Sequence, residues 1–434
     1  MSDNYEYYFP NMTNKRKDLF KKFYQIKIID DLPITTKNSK VPYFHPIMAS
    51  YVINDMILEC ICLNFPADFP KIKDVTDKHP EMIHKTVKVM NNIMNIGKKD
   101  GIFRYHKYFG SVLNGKYSGL TNGRYYFLYQ YFGTLINNAE YLNFAKMMLD
   151  SLLIPIESGG VCIDLNKFFG INDNIKKIWI DEVSDIPHMI LNGGMTCLRQ
   201  LYSSYDILDD KNIKDIIDKF LNGLCFLLKY YDSPEYSISK YSLAPKGILK
   251  IVAENKIKSC HISYNYLNYE IPSSKNKNDL NTFLIGSNNV NYINFAYIEP
   301  ADNVIEICFN KKINKISVSI LENCYESASE IKKCNYVLIE NNNYNINNNI
   351  LKININAINA IKYIKPKITV FSKNINNKLY NIYHYNHINS LQYFYGKTNN
   401  DIIKTYLTKF KEYTNIWKTQ KYITNTKNVC LDEY

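Results

Sequence analysis

Residues 124–153 read RYYFLYQYFGTLINNAEYLNFAKMMLDSLL, and their apolar side chains fall in two successive stripes at helical spacing. Phe127, Tyr131, Phe132, Leu135 and Ile136 make the first, and Tyr141, Phe144, Met147, Met148 and Leu152 the second. Recurrence at i, i+3, i+4 and i+7 predicts amphipathic helices whose stripes are packing surface. The period extends outward on both sides. Residues 46–63 and 82–98 carry it before the pair, residues 190–206 and 212–231 after it. A helical domain of sequence-adjacent pairs is expected from Pro46 to about Tyr231.

From about 245 to 378 the period changes to two. Ile305-Glu306-Ile307-Cys308-Phe309, Ile316-Ser317-Val318-Ser319-Ile320, Tyr336-Val337-Leu338-Ile339 and Ile368-Thr369-Val370-Phe371 read as β-branched strands between Asn, Asp, Gly and Pro signals. Within that region the asparagine-rich tracts 341–343 and 346–349 read as surface loops. After Tyr383 the helical period resumes through Ile388, Leu391 and Phe394 and runs from Ile402 to Trp417. The β module is therefore inserted into the helical domain. The fold expected is multidomain α+β: an incomplete (α/α) toroid whose inner helices line a groove, interrupted by an all-β, sandwich-like module. Its divisions are an N-terminal arm at 1–42, toroid at 43–244, insert at 245–378 and toroid again at 379–434.

A chain of 434 residues exceeds the size at which a single core usually keeps growing, and a 46% hydrophobic content can fill more than one. Tyrosine is abundant, at 38 residues against 21 phenylalanines, and suits core edges and sugar-binding clefts alike. Arginine occurs only at positions 16, 104, 124 and 199, which makes each of these worth following. The formal charge of +12 attracts polyanions without naming one. Scattered lysines, with no zinc-finger spacing, phosphate loop or aromatic RNA-binding signature, argue against nucleic acid. Ten cysteines without a CxxC pair argue against a metal site and for reduced, buried thiols. The start of the chain lacks a basic, apolar leader, and no run nears the roughly 18 apolar residues a span needs. A cytoplasmic protein is expected.

Five polar clusters stand out: YFHPI at 43–47 with Ala49 and Tyr51, KYSGLTNGR at 116–124, WIDEV at 179–183 with PHMILNG at 187–193, KYSL at 240–243, and YHYNHIN at 383–389. Singly, each reads equally well as a helix start or turn. In the last, Tyr383, His384 and His387 would share one helical edge, with Asn386 turning toward the same cleft from the adjacent face.

Their order resembles the D-glucuronyl C5-epimerase family. The clusters are similar, in turn, to the family's YFYPIxxAxY entry, its GWYSAMAQGQ helix, WYEEYP followed by PSxVLNG, IYDL, and YHTTHIN; Tyr141-Leu142, Ala145 and Gly159-Gly160-Val161 fit between. The resemblance covers roughly 43–60, 101–244 and 379–417, and not 245–378. It implies an (α/α)-toroid catalytic domain acting on an anionic, uronate-containing polysaccharide without a cofactor or metal, converting glucuronate to iduronate in a heparosan-like or capsular glycan. Inverting C5 requires a proton carrier on each face and a cation or donor at the carboxylate. The resemblance assigns catalytic roles to Tyr383, Tyr241 and Glu182. Arg124 is the expected carboxylate contact, its planar fork suiting that group, with His384 second; Asn122, His188, Asn192, His387 and Asn389 complete the expected binding set. Two positions depart from the pattern. Val183 stands where the family has a tyrosine, and Ala244 lies near the position of an arginine. The chemistry is then redistributed among Glu182, His188 or Tyr241 opposite Tyr383. A uronate lyase of the same toroid type and a non-catalytic glycan-binding or assembly protein are the alternatives. The insert has three readings: extending the groove, mediating a homodimer, or covering the ring.

Overall fold

The computed structural model describes residues 5–107, 114–273, 281–285, 289–322, 335–364, 372–375 and 378–417. Eleven helices are found among them. Three are short: α1 (Tyr5–Tyr8), α2 (Asn14–Asp18) and α7 (Leu165–Phe168). The others are α3 (Pro46–Cys60), α4 (Pro80–Gly97), α5 (Gly119–Leu135), α6 (Ala139–Leu152), α8 (Leu191–Ile207), α9 (Lys214–Tyr231), α10 (Ile382–Thr398) and α11 (Asp401–Trp417).

The helix starts follow from local chemistry. Pro46 and Pro80 occupy first-turn positions that need no N–H. Ser118 Oγ accepts from the Thr121 amide at 3.3 Å, Asn138 Oδ1 from Tyr141 at 3.1 Å, and Asn400 Oδ1 from Ile402 at 2.9 Å. The expected pair over 124–153 is α5 and α6, separated at Asn137, whose φ of 54° is one asparagine tolerates.

Each long helix packs against its successor, α3 on α4, α5 on α6, α8 on α9 and α10 on α11. The first members also touch one another, α3 to α5, α5 to α8 and α8 to α10. Four inner helices thus stand side by side with four outer helices behind them. Burial agrees: α5 is covered on nearly every side, whereas α4 and α9 bury one stripe and leave the rest to solvent.

The lead-in is more than a polar arm. Residues 5–35 form α1, α2 and the hairpin of β1 (Ile26–Ile29) and β2 (Leu32–Thr35), and bury Tyr5, Tyr8, Phe9, Phe20 and Tyr24 in the main apolar cluster. Its lysines had masked rings that pack. The Arg16 guanidinium enters beside Asp55 of α3 (Nε to Oδ2, 2.8 Å) and lies 3.8 Å over the Phe65 ring.

Two small ribbons join helices: β3 (Cys162–Asp164) with β4 (Ile178–Ile180), and β5 (Asp232–Ser233) with β6 (Ile238–Ser239). Beyond them run β7 (Lys246–Ala253), β8 (Ile257–Tyr264), β9 (Leu267–Glu270), β10 (Thr282–Ile285), β11 (Val290–Ala296), β12 (Asn303–Phe309), β13 (Ile316–Leu321), β14 (Tyr336–Leu338), β15 (Tyr344–Asn347) and β16 (Ile350–Asn354). They form two antiparallel five-stranded sheets ordered β10-β11-β7-β13-β14 and β15-β16-β12-β8-β9. A last hairpin pairs β17 (Ser372–Ile375) with β18 (Lys378–Asn381). Alternation works as the sequence predicts: Leu249 and Ile251 of one sheet and Ile305, Ile307, Leu351 and Ile353 of the other enter the same apolar cluster as the helices. The chain is mixed α+β.

One low-complexity tract departs from expectation. Tyr344–Asn347 is an exposed edge strand paired with β16 through a turn at Asn348, whose φ is 55°. The anticipated strand at 368–371 and the tail 418–434 lie outside the described residues. Among the described residues no helix is long and apolar enough to cross a membrane.

Candidate functional site

Trp179 to Val183 anchors the site. The Asp181 carboxylate is buried and accepts three amides, from Glu182 at 2.8 Å, Met189 at 2.7 Å and Ile190 at 3.0 Å. Burial raises its pKa to about 6 even though those amides favour the charged form. This carboxylate closes the loop 182–190 onto the start of α8. Its backbone carbonyl also accepts from Gly119 at 3.2 Å, where an added Cβ would stand 2.4 Å from the same oxygen. Only glycine lets the first turn of α5 approach so closely.

Asp181 is therefore scaffold, and Glu182 is what the loop presents. Glu182 rests on the first turn of α8 at Gly193, where a Cβ would meet Oε2 at 2.4 Å. Gly194 gives the same room to the Trp179 ring, 2.2 Å from an added Cβ.

Glu182 and Val183 line a cavity of about 370 Å³ between the inner helices. Helix α3 contributes Ile47 and Tyr51; α5 and its cap contribute Ser118, Leu120 and Arg124; α8 contributes Asn192, Thr196, Arg199 and Gln200. Helix α10 closes the far side with Tyr383, Asn386, Asn389 and Ser390, and Tyr105 completes the wall. Spacings of three and four place the sets of α3, α8 and α10, and Leu120 with Arg124 on α5, each on one face of its helix.

Arg124 donates from Nε to Ser50 Oγ at 3.1 Å, and its guanidinium lies 4.7 Å from the Tyr51 ring centre. Among the described residues neither Arg124 nor Arg199 has a carboxylate at ion-pair distance. Tyr105 bonds Thr121 through its hydroxyl at 2.8 Å, and its pKa is raised by burial, with the nearby Glu182 charge adding to the effect.

Of the residues expected from sequence, Tyr383, Glu182, Arg124, Asn192 and Asn389 meet on this cavity. Tyr241 does not line it. Its ring stands edge-on behind Tyr383, centroids 4.7 Å apart, packed with Val183 and Ile190. Asn122 is fully buried, donating to the Gly101 carbonyl at 3.0 Å and Ser151 Oγ at 2.7 Å. His188 is buried outside the cavity, and its carbonyl accepts from Ser242 Oγ at 2.6 Å.

The two histidines of α10 also face away. Ser239 of β6 lies 2.7 Å from Nδ1 of both His384 and His387. The Ser239 amide donates to His384 Nδ1 at 3.0 Å, so its Nε2 carries the proton given to the Phe410 carbonyl at 3.0 Å. Burial pushes the His384 pKa down to about 4, and burial, with the neighbouring His384 adding to it, also holds that of His387 well below the usual imidazole range. They are neutral struts tying α10 to β6 and α11. The expected sharing of one edge by Tyr383, His384 and His387 fails because 384 and 387 form the core edge, while Tyr383, Asn386 and Asn389 form the open one.

Asn386 lines the cavity, as its place on the adjacent helical face predicts, and Arg199, Thr196, Gln200, Tyr51 and Tyr105 belong to it without having been assigned to it. Steps of four and seven from Asn192 reach Thr196 and Arg199, and a step of three from Tyr383 reaches Asn386. Among the described residues no three His, Cys, Asp or Glu side chains gather as a metal-ligand set.

A known family model matches part of the chain. The model described as D-glucuronyl C5-epimerase C-terminus covers residues 91–279, a little under half of the chain. That segment includes Arg124, Glu182, Val183, Asn192, Arg199 and Tyr241, and runs past β9, beyond the limit at 244 expected from the motifs. Tyr383, Asn386 and Asn389 lie outside it. No curated protein matches the chain.

Proposed function

We propose that this chain, which matches the D-glucuronyl C5-epimerase C-terminus over residues 91–279, inverts C5 of D-glucuronate to L-iduronate residues in a heparosan-like or capsular polysaccharide. The observation that carries this reading is the convergence of Glu182, Tyr383 and Arg124 on one cavity, drawn from three separate parts of the chain. In this reading the helices form an incomplete (α/α) toroid, interrupted by the β module between 245 and 378, and the inner helices frame the groove for the polymer.

The reaction needs three functions. The C5 proton lies next to a carboxylate, so its removal leaves an enolate-like carbanion whose charge a cation must meet. Arg124 supplies that cation, held in orientation by Ser50 and the Tyr51 ring. Proton removal and return on opposite faces need two carriers. Tyr383 serves one face and Glu182 the other. Val183, which carries no proton, leaves Glu182 to take up the second duty. Tyr241 acts as a positioning residue, its ring buttressing Tyr383 from behind.

The test is solvent-deuterium incorporation at C5 of uronate polymers. Exchange with formation of iduronate supports epimerisation. Appearance of an unsaturated uronate instead assigns the protein to the lyases, and absence of both exchange and cleavage across a panel of uronate polymers leaves it a binding protein.

A further inference from the structure

The KYSL cluster at 240–243 carries Tyr241 behind Tyr383, yet its first residue does not line the cavity. Lys240 is buried, and its Nζ lies 2.6 Å from Glu299 Oε2, each side chain being only 10% exposed. Glu299 belongs to the β module, in the turn between β11 and β12. The pair therefore joins the insert to the wall of the site.

Backbone pairing makes the same connection. Strands β7 and β11 pair from Val252 opposite Val290 to Lys246 opposite Ala296. The ladder then continues toward the site, with the Tyr297 amide donating to the Pro245 carbonyl at 2.8 Å and the Glu299 amide to the Leu243 carbonyl at 3.2 Å. On its other edge the same segment meets the start of α8, where Leu191 donates to the Tyr241 carbonyl at 2.9 Å and Leu243 to the His188 carbonyl at 3.3 Å. Residues 241–243 are thus an extended run held between α8 and the β module.

Glu299 grips this run twice. Its amide holds Leu243 and its carboxylate holds Lys240, so the two contacts bracket Tyr241 and Ser242. The turn that presents it is stitched by the fully buried Asn303, whose Oδ1 accepts from Ile298 at 2.9 Å and whose Nδ2 donates to the carbonyls of Ile298 at 2.9 Å and Ala301 at 2.6 Å. The Asn303 amide donates in turn to Asn356 Oδ1 at 2.8 Å, just past β16 of the second sheet. Burial raises the Glu299 pKa, against the pull of Lys240 and with the Glu235 charge adding to it. A covered ion pair is often no more stabilising than apolar side chains of like volume. Its use here lies in the geometry it fixes.

Resting on the epimerase reading, we infer that Glu299 is a positioning residue: it holds the chain on both sides of Tyr241, through Lys240 and the Leu243 carbonyl, and so fixes the ring that backs the proton carrier Tyr383. The β module then sets the angle of that phenol without touching the substrate.

The experiment is steady-state C5 exchange on heparosan with the full chain, its Glu299→Gln and Lys240→Met variants, and the double variant Lys240→Met/Glu299→Leu, which leaves no unpaired charge. Turnover (kcat) should fall about tenfold in each, less than the roughly hundredfold of a full 1 Å misplacement, with KM within about twofold because neither residue lines the cavity. In the double variant the Tm should return to within a few degrees of wild type while turnover stays low. Turnover that recovers with the Tm would show a structural pair only and overturn the inference. In a Tyr241→Leu background Glu299→Gln should cost less than about twofold, since the ring it positions is gone; an undiminished tenfold loss there overturns the inference too. Amide hydrogen exchange of the same variants reads the brace without the reaction: peptides covering 188–191 and 382–390 should exchange faster while those of α3 to α6 do not change. That loosening, in a protein whose wild type exchanges no C5 proton in any uronate polymer, leaves the brace standing and removes the epimerase reading. Unchanged peptides with unchanged turnover remove the brace and leave the epimerase reading.

Discussion

Gly193→Ala is the most direct probe of how Glu182 is held. The added methyl would stand 2.4 Å from Glu182 Oε2, 2.6 Å from its Cβ and 2.9 Å from its Cγ, where ordinary contact begins near 3.4 Å. The carboxylate could swing aside, but the Cβ is one bond from the backbone. Restoring contact distance there requires a retreat of about 0.8 Å, the difference between 3.4 and 2.6 Å. A misplacement of that order costs about 10²-fold in rate. Stability should suffer little, because the gain of about 1 kcal/mol from replacing a helical glycine offsets much of an overpacking cost of about 1–3 kcal/mol. The assay pairs C5 deuterium exchange with a thermal melt, run beside Glu182→Gln. Exchange should fall roughly a hundredfold with a Tm shift of only a few degrees. Retention of exchange within threefold of wild type in Gly193→Ala, while Glu182→Gln abolishes it, would refute the packing argument; retention in both would refute the role of Glu182.

Tyr383→Phe should lower C5 exchange by at least an order of magnitude while leaving polymer affinity within about threefold, measured by exchange kinetics and calorimetry. Val183→Tyr points a phenol into the cavity from the position where the family carries one, and should raise exchange several-fold; an unchanged or lower rate would show that the second duty is already complete without it. Gly396→Ala, in α10 with nothing within 4 Å of the new Cβ beyond its chain neighbours and the helix's own backbone, should stabilise the protein by about 0.5–1 kcal/mol in urea titration, and a loss of stability would contradict the helix geometry there. His384 titrates near 4 when folded and near 6.5 when unfolded, so its contribution is complete above about pH 6.5 and is lost as pH falls toward 4. The full loss is on the order of 3 kcal/mol. Asp181 and Glu59, raised by burial to about 6 and 7, change stability in the opposite sense over an overlapping range. Comparison with His384→Gln therefore isolates the histidine: the wild type should lose more stability between pH 7 and 4.5 than the variant, and parallel curves would sink the assignment.

Local patterns were readable wherever burial depends on one neighbour. The stripes of α5 and α6 and the alternation of β12 and β13 declare which side is covered, and Ser118 and Asn138 announce the helix starts. Ring packing among lysines is not legible in composition, so the lead-in at 1–42 reads as a polar arm although residues 5–35 bury five aromatic rings. The site was half legible for a related reason. Glu182, Arg124, Asn192, Tyr383 and Asn389 lie in motifs, but whether a polar side chain in a motif faces the groove depends on which edge of its helix the next helix covers. Asn122 and Arg124 are two residues apart on α5, yet one is sealed against Gly101 and Ser151 while the other reaches the cavity. His384 and His387 carry the strongest chemical signal in the chain and serve as struts, because β6 and α11 converge on their edge. No periodicity within α10 encodes that.

The cavity joins residues as distant in sequence as Ile47 and Ser390, and its last wall, α10, follows the whole β module in the chain. During synthesis the first three inner helices emerge well before the fourth. Until the intervening strands have folded and shortened the loop between Leu243 and Ile382, α10 approaches an open trough with its apolar side uncovered. Domains generally fold as units in order of synthesis, and long loops are entropically slow to close. A nascent chain released before α10 keeps Glu182 and Arg124 but lacks Tyr383, Asn386, Asn389 and Ser390, so the cavity is complete only once the final helical hairpin has formed.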